Sequence, residues 1–174
     1  KQSSPSALGA SESKRVKAKH TVFWYNCPQA KLSPTKAGGT MTIIGTPQAE
    51  HAIDAELVAG LLADQHPDLA HLEVTPLAAG WDNTVFRIGP DLVARLPRRV
   101  ESVPLIVHEQ RWLPELAPRL PLPVPTPIRT GVPGSGYPWP WSVCPWFPGE
   151  PASTHPPDDG DRAARDLGGF LAAL

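Results

Sequence analysis

The chain has 174 residues, enough for one domain with a real hydrophobic core but few for two complete lobes around a catalytic cleft. It carries no apolar run of about eighteen residues and no apolar stretch at its start, which argues against a membrane span or a secretory route and predicts a cytoplasmic protein. The formal charge of -1 is unevenly divided: residues 1–40 hold all six lysines and Arg15 against Glu12 alone, whereas residues 41–174 hold nine arginines, no lysine and sixteen acids.

That change in basic residue coincides with Met41, the only methionine, and predicts a disordered or foreign basic leader over 1–40 before a domain that begins near Met41. Lys14, Arg15, Lys17 and Lys19 form a cluster of the kind that binds nucleic acid, but no base-reading module follows them, so a nucleic-acid partner is disfavoured. Cys27 and Cys144 lie in segments of different character and read as buried or incidental thiols. His66 and His71 lack the Cys or carboxylate pattern that would complete a metal site, so no protein metal cage is predicted.

From Ile53 the apolar residues Ile53, Leu57, Val58, Leu61 and Leu62 recur at helical spacing, with Asp54 as a candidate N-cap and Pro67 as the stop. Leu72, Val74 and Leu77 then alternate as in a strand. Gly80 to Thr84 form a turn, Val85 to Ile88 a second strand, and Gly89, Pro90 and Asp91 reverse the chain into a third strand, Leu92 to Leu96. A second helix follows, with Ser102 as cap, Pro104 in its first turn, apolar residues Leu105, Ile106, Trp112, Leu113 and Leu116, and a break or kink expected at Pro114. Two apolar segments, roughly 126–132 and 139–147, fit a strand pair, and the prolines around the second point to an edge or imperfect strand. Residues 158–174 read as a capped helix with Leu167, Phe170, Leu171 and Leu174 on one side, an apolar stripe expected to favour self-association. The order is not the regular alternation of a parallel sheet, and it predicts an antiparallel α+β lobe over 41–150 followed by a linker and helix over 151–174.

This order, together with the strings AAGWDNTVFRIGPDLVARLPRR, HEQRWLPELAPRLPLPVPTPI and YPWPWSVCPWFPGEPA, resembles the aminoglycoside phosphotransferase family, a branch of the protein-kinase-like fold, from about Ile53 to the last residue. The resemblance implies an amino-terminal lobe with a five-stranded antiparallel sheet and packed helices, truncated before the catalytic lobe. It implies transfer of the γ-phosphoryl group of ATP to a hydroxyl of a small molecule, with Mg²⁺. The acceptor stays open among aminoglycoside, macrolide, choline-like and sugar-like molecules.

Gly80, Asp82, Asn83 and Thr84 stand where the family places the loop over the nucleotide phosphates, and small residues there allow close approach of backbone N–H groups. Arg95 stands where kinases carry a lysine that touches the phosphates, and Glu109, in HEQRW, is its matching acid. Cys144, Pro145 and Phe147 occupy the hinge, where backbone groups meet the adenine edge; Pro145 offers a carbonyl and Phe147 an N–H. The family's catalytic loop and metal-binding aspartate belong to the carboxy-terminal lobe, so no catalytic base or metal ligand is assigned, and the fragment alone is expected to be inactive. Asp158, Asp159, Asp161 and Asp166 read as helix-start charges. A non-catalytic nucleotide-binding or scaffold module of the same fold is the alternative. A proline-rich ligand for SH3-like or WW domains is disfavoured, because Pro121, Pro123, Pro125 and Pro127 form a connector between helix and strand.

Overall fold

The computed structural model describes residues 47–174, so the expectations for the leader and for Met41 lie outside the described residues. In chain order the elements are α1 (Ala55–Gln65), β1 (Val74–Ala79), β2 (Asn83–Ile88), β3 (Leu92–Pro97), α2 (Val103–Leu116), β4 (Arg129–Gly131), β5 (Trp141–Pro145) and α3 (Gly160–Ala173), with short 3-10 turns on either side of α2. All five strands join one antiparallel sheet in the order β1-β2-β3-β5-β4, the α+β architecture expected from the sequence.

Helix α1 starts as its sequence dictates: the Asp54 carboxylate accepts the Leu57 N–H at 2.8 Å, satisfying one of the donors left over in the first turn. Its buried residues Val58, Leu61 and Leu62 pack on one face of the sheet against Phe86, Ile88, Ala94, Leu96, Trp141 and Val143. These sheet residues are alternate positions on β2, β3 and β5, as a two-residue period requires. Gly131 is fixed by this layer, because a Cβ there would meet the Trp141 indole at 1.9 Å. Tyr137 closes the same core, its hydroxyl donating to the Pro97 carbonyl at 2.8 Å.

The strands depart from expectation at several points. β1 begins at Val74 and tolerates Pro76 because it is an edge strand, with a register irregularity between Pro76 and Ala78. Asn83 and Thr84 belong to β2 rather than to the turn, since they pair with Pro97 and Leu96 of β3. β5 is not an edge: it lies between β3 and β4, and the prolines that suggested an edge fall before it, at Pro138 and Pro140, or at its last residue, Pro145. The reversal between β2 and β3 uses Gly89 at φ +54°, a left-handed backbone that side chains beyond glycine adopt at a cost.

Helix α2 sits over the other face of the sheet, anchored by Gln110, whose Nε2 donates to the Trp141 carbonyl at 2.9 Å and to Ser142 Oγ at 3.0 Å. Pro114 does not break it; the helix continues to Leu116, so the missing N–H is confined to the final turn. Its inward stripe is Ile106, Glu109, Gln110 and Leu113, with Ile106 alone fully buried, whereas Leu105 and Trp112, part of its apolar content, are half exposed to solvent. Ser102 occupies the cap position without capping its own helix. α3 is capped by Asp159, which accepts from the Arg162 N–H at 2.8 Å. Its expected open stripe is interrupted: Phe170 is buried, while Leu171 and Leu174 are exposed.

Candidate functional site

The second face of the sheet carries a different chemistry from the α1 face. Val85 and Arg87 come from β2, Val93 and Arg95 from β3, Ser142 and Cys144 from β5, and antiparallel register sets Val85 beside Arg95, Val93 beside Cys144, and Arg95 beside Ser142. Val85, Val93 and Cys144 form a small buried apolar patch, extended by Leu77 and Trp146. An apolar floor next to a fixed cation suits a flat, partly apolar ligand with an anionic tail.

The cation is Arg95. Its Nη1 lies 2.6 Å from Glu109 Oε2, and its Nη2 donates to Glu109 Oε1 at 3.0 Å, a forked pair whose side chains are 14% and 27% exposed. One charge-assisted hydrogen bond and a second close ion contact hold the guanidinium against both carboxylate oxygens. The adjacent Gln110 anchor on β5 sets the rotation of α2 that brings Glu109 over Arg95. The Cys144 thiol, fully buried beside this pair, is pushed up to about 12; burial dominates, with the Arg95 charge opposing it and the Glu109 charge adding to it. It is therefore a neutral packing group rather than a nucleophile.

At one end of this face the β1–β2 loop is held down rather than free. The Gly80 N–H donates to the Asn83 carbonyl at 2.9 Å, the Arg98 N–H to the Asp82 carbonyl at 2.8 Å, Arg98 Nη1 to the Gly80 carbonyl at 2.5 Å, and Ser102 Oγ to Asp82 Oδ1 at 3.0 Å. Asp82 is thus tied to the start of α2, the helix that carries Glu109. The N–H groups of Trp81 and Asp82 make no backbone hydrogen bond among the described residues, so these two, rather than that of Gly80, are available to an anion. At the other end the Trp146 N–H donates to the Asp91 carbonyl at 2.7 Å, Pro145 has no N–H, and the Phe147 N–H makes no backbone hydrogen bond among the described residues.

The expected residues fall into three groups along the sheet: Gly80 and Asp82 in the loop with Asn83 and Thr84 beginning β2, the Arg95–Glu109 pair in the middle, and Cys144, Pro145 and Phe147 at the far end; Thr84 and Pro145 take strand positions of the α1 face, so only their backbone can serve the second. Val85, Val93 and Leu77 escaped the sequence reading because isolated aliphatic residues in strands look like any core. Gln110, Ser142, Arg98 and Ser102 escaped it because their roles arise from contacts across the chain. Two consecutive polar residues, Glu109 and Gln110, three and four positions after buried Ile106, were the one legible signal that α2 turns a polar stripe inward. No group of three or more His, Cys, Asp or Glu among the described residues is arranged to hold a metal ion, and no helix there is long and apolar enough to cross a membrane.

Comparison with known proteins gives three findings. Residues 73–174 match the family model described as the phosphotransferase enzyme family. Among solved structures, the chain is similar to the GDP complex of wild-type aminoglycoside 2'-phosphotransferase-IIIa, at 23% identity and a TM-score of 0.63, over 70% of this chain and 42% of that one. It is similar to the GDP and kanamycin complex of the enzyme designated APH(2")-IIIa, at 23% identity and a TM-score of 0.59, over 67% and 40% of the two chains. The apoenzyme of macrolide 2'-phosphotransferase MphH from Brachybacterium faecium matches at 26% identity and a TM-score of 0.42, over 57% and 32%. The chain thus spans less than half the length of the structures it matches. No curated protein matches it.

Proposed function

The chain belongs to the phosphotransferase enzyme family, and from that premise we propose that it forms the nucleotide-binding part of an enzyme that moves the γ-phosphoryl group of ATP to a hydroxyl of a small molecule. The observation that carries this reading is the forked Arg95–Glu109 pair, 2.6 and 3.0 Å, set beside the apolar patch of Val85, Val93 and Cys144. The base would lie against that patch and meet the Pro145 carbonyl and the Phe147 N–H. The α and β phosphates would meet Arg95, with the Trp81 and Asp82 N–H groups beyond. Phosphoryl transfer is mostly positioning and charge stabilisation, so a cation pre-set by a carboxylate is the contribution this face can make. When bound, Mg²⁺ would neutralise the β and γ phosphates; Glu109 is engaged by Arg95, and no described residue is assigned as its ligand.

Small hydroxylated molecules are the proposed acceptors, by likeness to a relative whose structure holds kanamycin. The nucleotide reading is tested by titrating the chain with ATP and, separately, GTP, following backbone amide shifts. Perturbations at Val93, Arg95 and Phe147 that are lost in Arg95→Ala are expected, and shifts confined to other faces would refute the site. Preference for ATP over GTP is read from competition between them.

A further inference from the structure

Past the apolar patch, the sheet face ends at the β2–β3 turn, where three consecutive carbonyls are engaged. Arg87 Nε donates to the Gly89 carbonyl at 2.9 Å, Arg87 Nη2 donates to the Pro90 carbonyl, and the Trp146 N–H donates to the Asp91 carbonyl at 2.7 Å. The Arg87 guanidinium also lies over the Trp146 indole, with Cζ 4.4 Å from the ring centroid. Trp146 is therefore held twice, through its backbone by the turn and through its ring by a cation that the same turn orients. Its indole packs against the Val85, Val93 and Cys144 patch.

We infer that Arg87 is a positioning residue for the base end of the nucleotide site, acting through Trp146. The inference rests on the nucleotide reading above. Pro145 has no N–H and that of Trp146 is spent on Asp91, so the next donor for a base is the Phe147 N–H, whose place in space is set by the residue before it. A segment already ordered binds without the entropic cost of ordering it at the moment of contact. Arg87 touches neither the phosphates' cation nor the loop at Gly80, so its effect should fall on base affinity alone.

The test uses the full chain with N-methylanthraniloyl-ATP as the fluorescent probe and amide hydrogen exchange at Trp146 and Phe147. Arg87→Ala should weaken binding about two- to five-fold, the scale of one exposed cation–π contact, and speed exchange of the Trp146 amide. Arg87→Lys keeps a cation near the ring but loses the fork to two carbonyls, so it should recover part of the affinity and less of the protection. Trp146→Phe keeps a ring and should stay closer to the unmodified chain than Arg87→Ala. Equal affinity and unchanged exchange in Arg87→Ala would overturn the inference; should that variant not fold, equal affinity and unchanged exchange in Arg87→Lys would do so. Arg95→Ala separates the two readings. Binding that responds to Arg95 but not to Arg87 sinks this inference alone, whereas binding indifferent to Arg95, or no binding by the unmodified chain, sinks the nucleotide site and this inference with it.

Discussion

At residue scale, the informative residue is Arg95, an arginine at the position where the proposed reading expects a phosphate-contacting cation. Arg95 meets both Glu109 oxygens, one by a hydrogen bond and one by an ion contact, in a half-buried setting, which a single ammonium cannot do with the same planar geometry. Glu109→Gln should therefore lower stability by about 1.5–3 kcal/mol, the scale of a hydrogen bond to a charged group, and Arg95→Lys by less than Arg95→Ala. Urea unfolding of the three variants checks this order; a Glu109→Gln protein as stable as the parent would show that the pair contributes nothing net. Gly131 makes a sharper case, since any Cβ would overlap the fully buried Trp141 ring. Gly131→Ala should cost about 3 kcal/mol or more, at or beyond the upper end of ordinary overpacking, and a small loss would mean that β4 can move aside. Arg95 and Glu109 were legible in the sequence because a motif order supplied their pairing. Ser142 and Gln110, which set the helix that presents Glu109, were not, because a serine in a strand and a glutamine in a helix signal nothing until the two elements meet.

At the scale of elements, local rules carried α1, whose cap, periodicity and proline stop agree, and the β2–β3 hairpin, whose glycine takes the φ the turn requires. They pointed to an edge for β5 because the prolines around it were read by their number rather than their place, and at strand ends the missing N–H costs little; the break expected at Pro114 is absent because that residue falls in the final helical turn. The apolar content of α2 does not all face the sheet: Glu109 and Gln110 take inward positions while Leu105 and Trp112 stay half exposed. The β1–β2 loop is the element whose behaviour is least like its sequence, since a small-residue turn reads as free and is in fact latched to α2 through Ser102 and Asp82. Ser102→Ala should remove that latch at a cost of about 1 kcal/mol and raise exchange of the hydrogen-bonded Gly80 and Arg98 amides without changing exchange in α1. If exchange of these amides stays as slow as in the parent, the loop is held without Ser102, by Arg98 through Gly80 and Asp82 and by the Gly80 N–H on Asn83.

At the scale of the whole molecule, the two faces of the sheet share a property that sets the alkaline limit of the fold. Each core layer encloses a group that is neutral when buried: Tyr137 on the α1 side, its hydroxyl donating to the Pro97 carbonyl, and Cys144 on the opposite side under Arg95 and Glu109. Burial pushes the Tyr137 phenol well above its ordinary range and the Cys144 thiol up to about 12 from a reference of 9.0. Both shifts have the same sign, since the folded chain holds a proton that the unfolded chain releases at lower pH. Their contribution is fully present below pH 9, and stability then falls as pH rises from 9 toward 12, because above the unfolded pKa the unfolded state binds fewer protons. Each such group steepens the decline by up to about 1.4 kcal/mol per pH unit. Urea unfolding at intervals from about pH 8 to about pH 11 should thus show a level stretch followed by a descent. Cys144→Ala, whatever it costs at neutral pH through the lost sulfur, should make that descent shallower, and Tyr137→Phe should flatten its upper part. A Cys144→Ala protein whose pH profile runs parallel to the parent's throughout would show that the thiol is not held neutral by the fold, and with it that the face beneath Arg95 is wetter than its packing indicates.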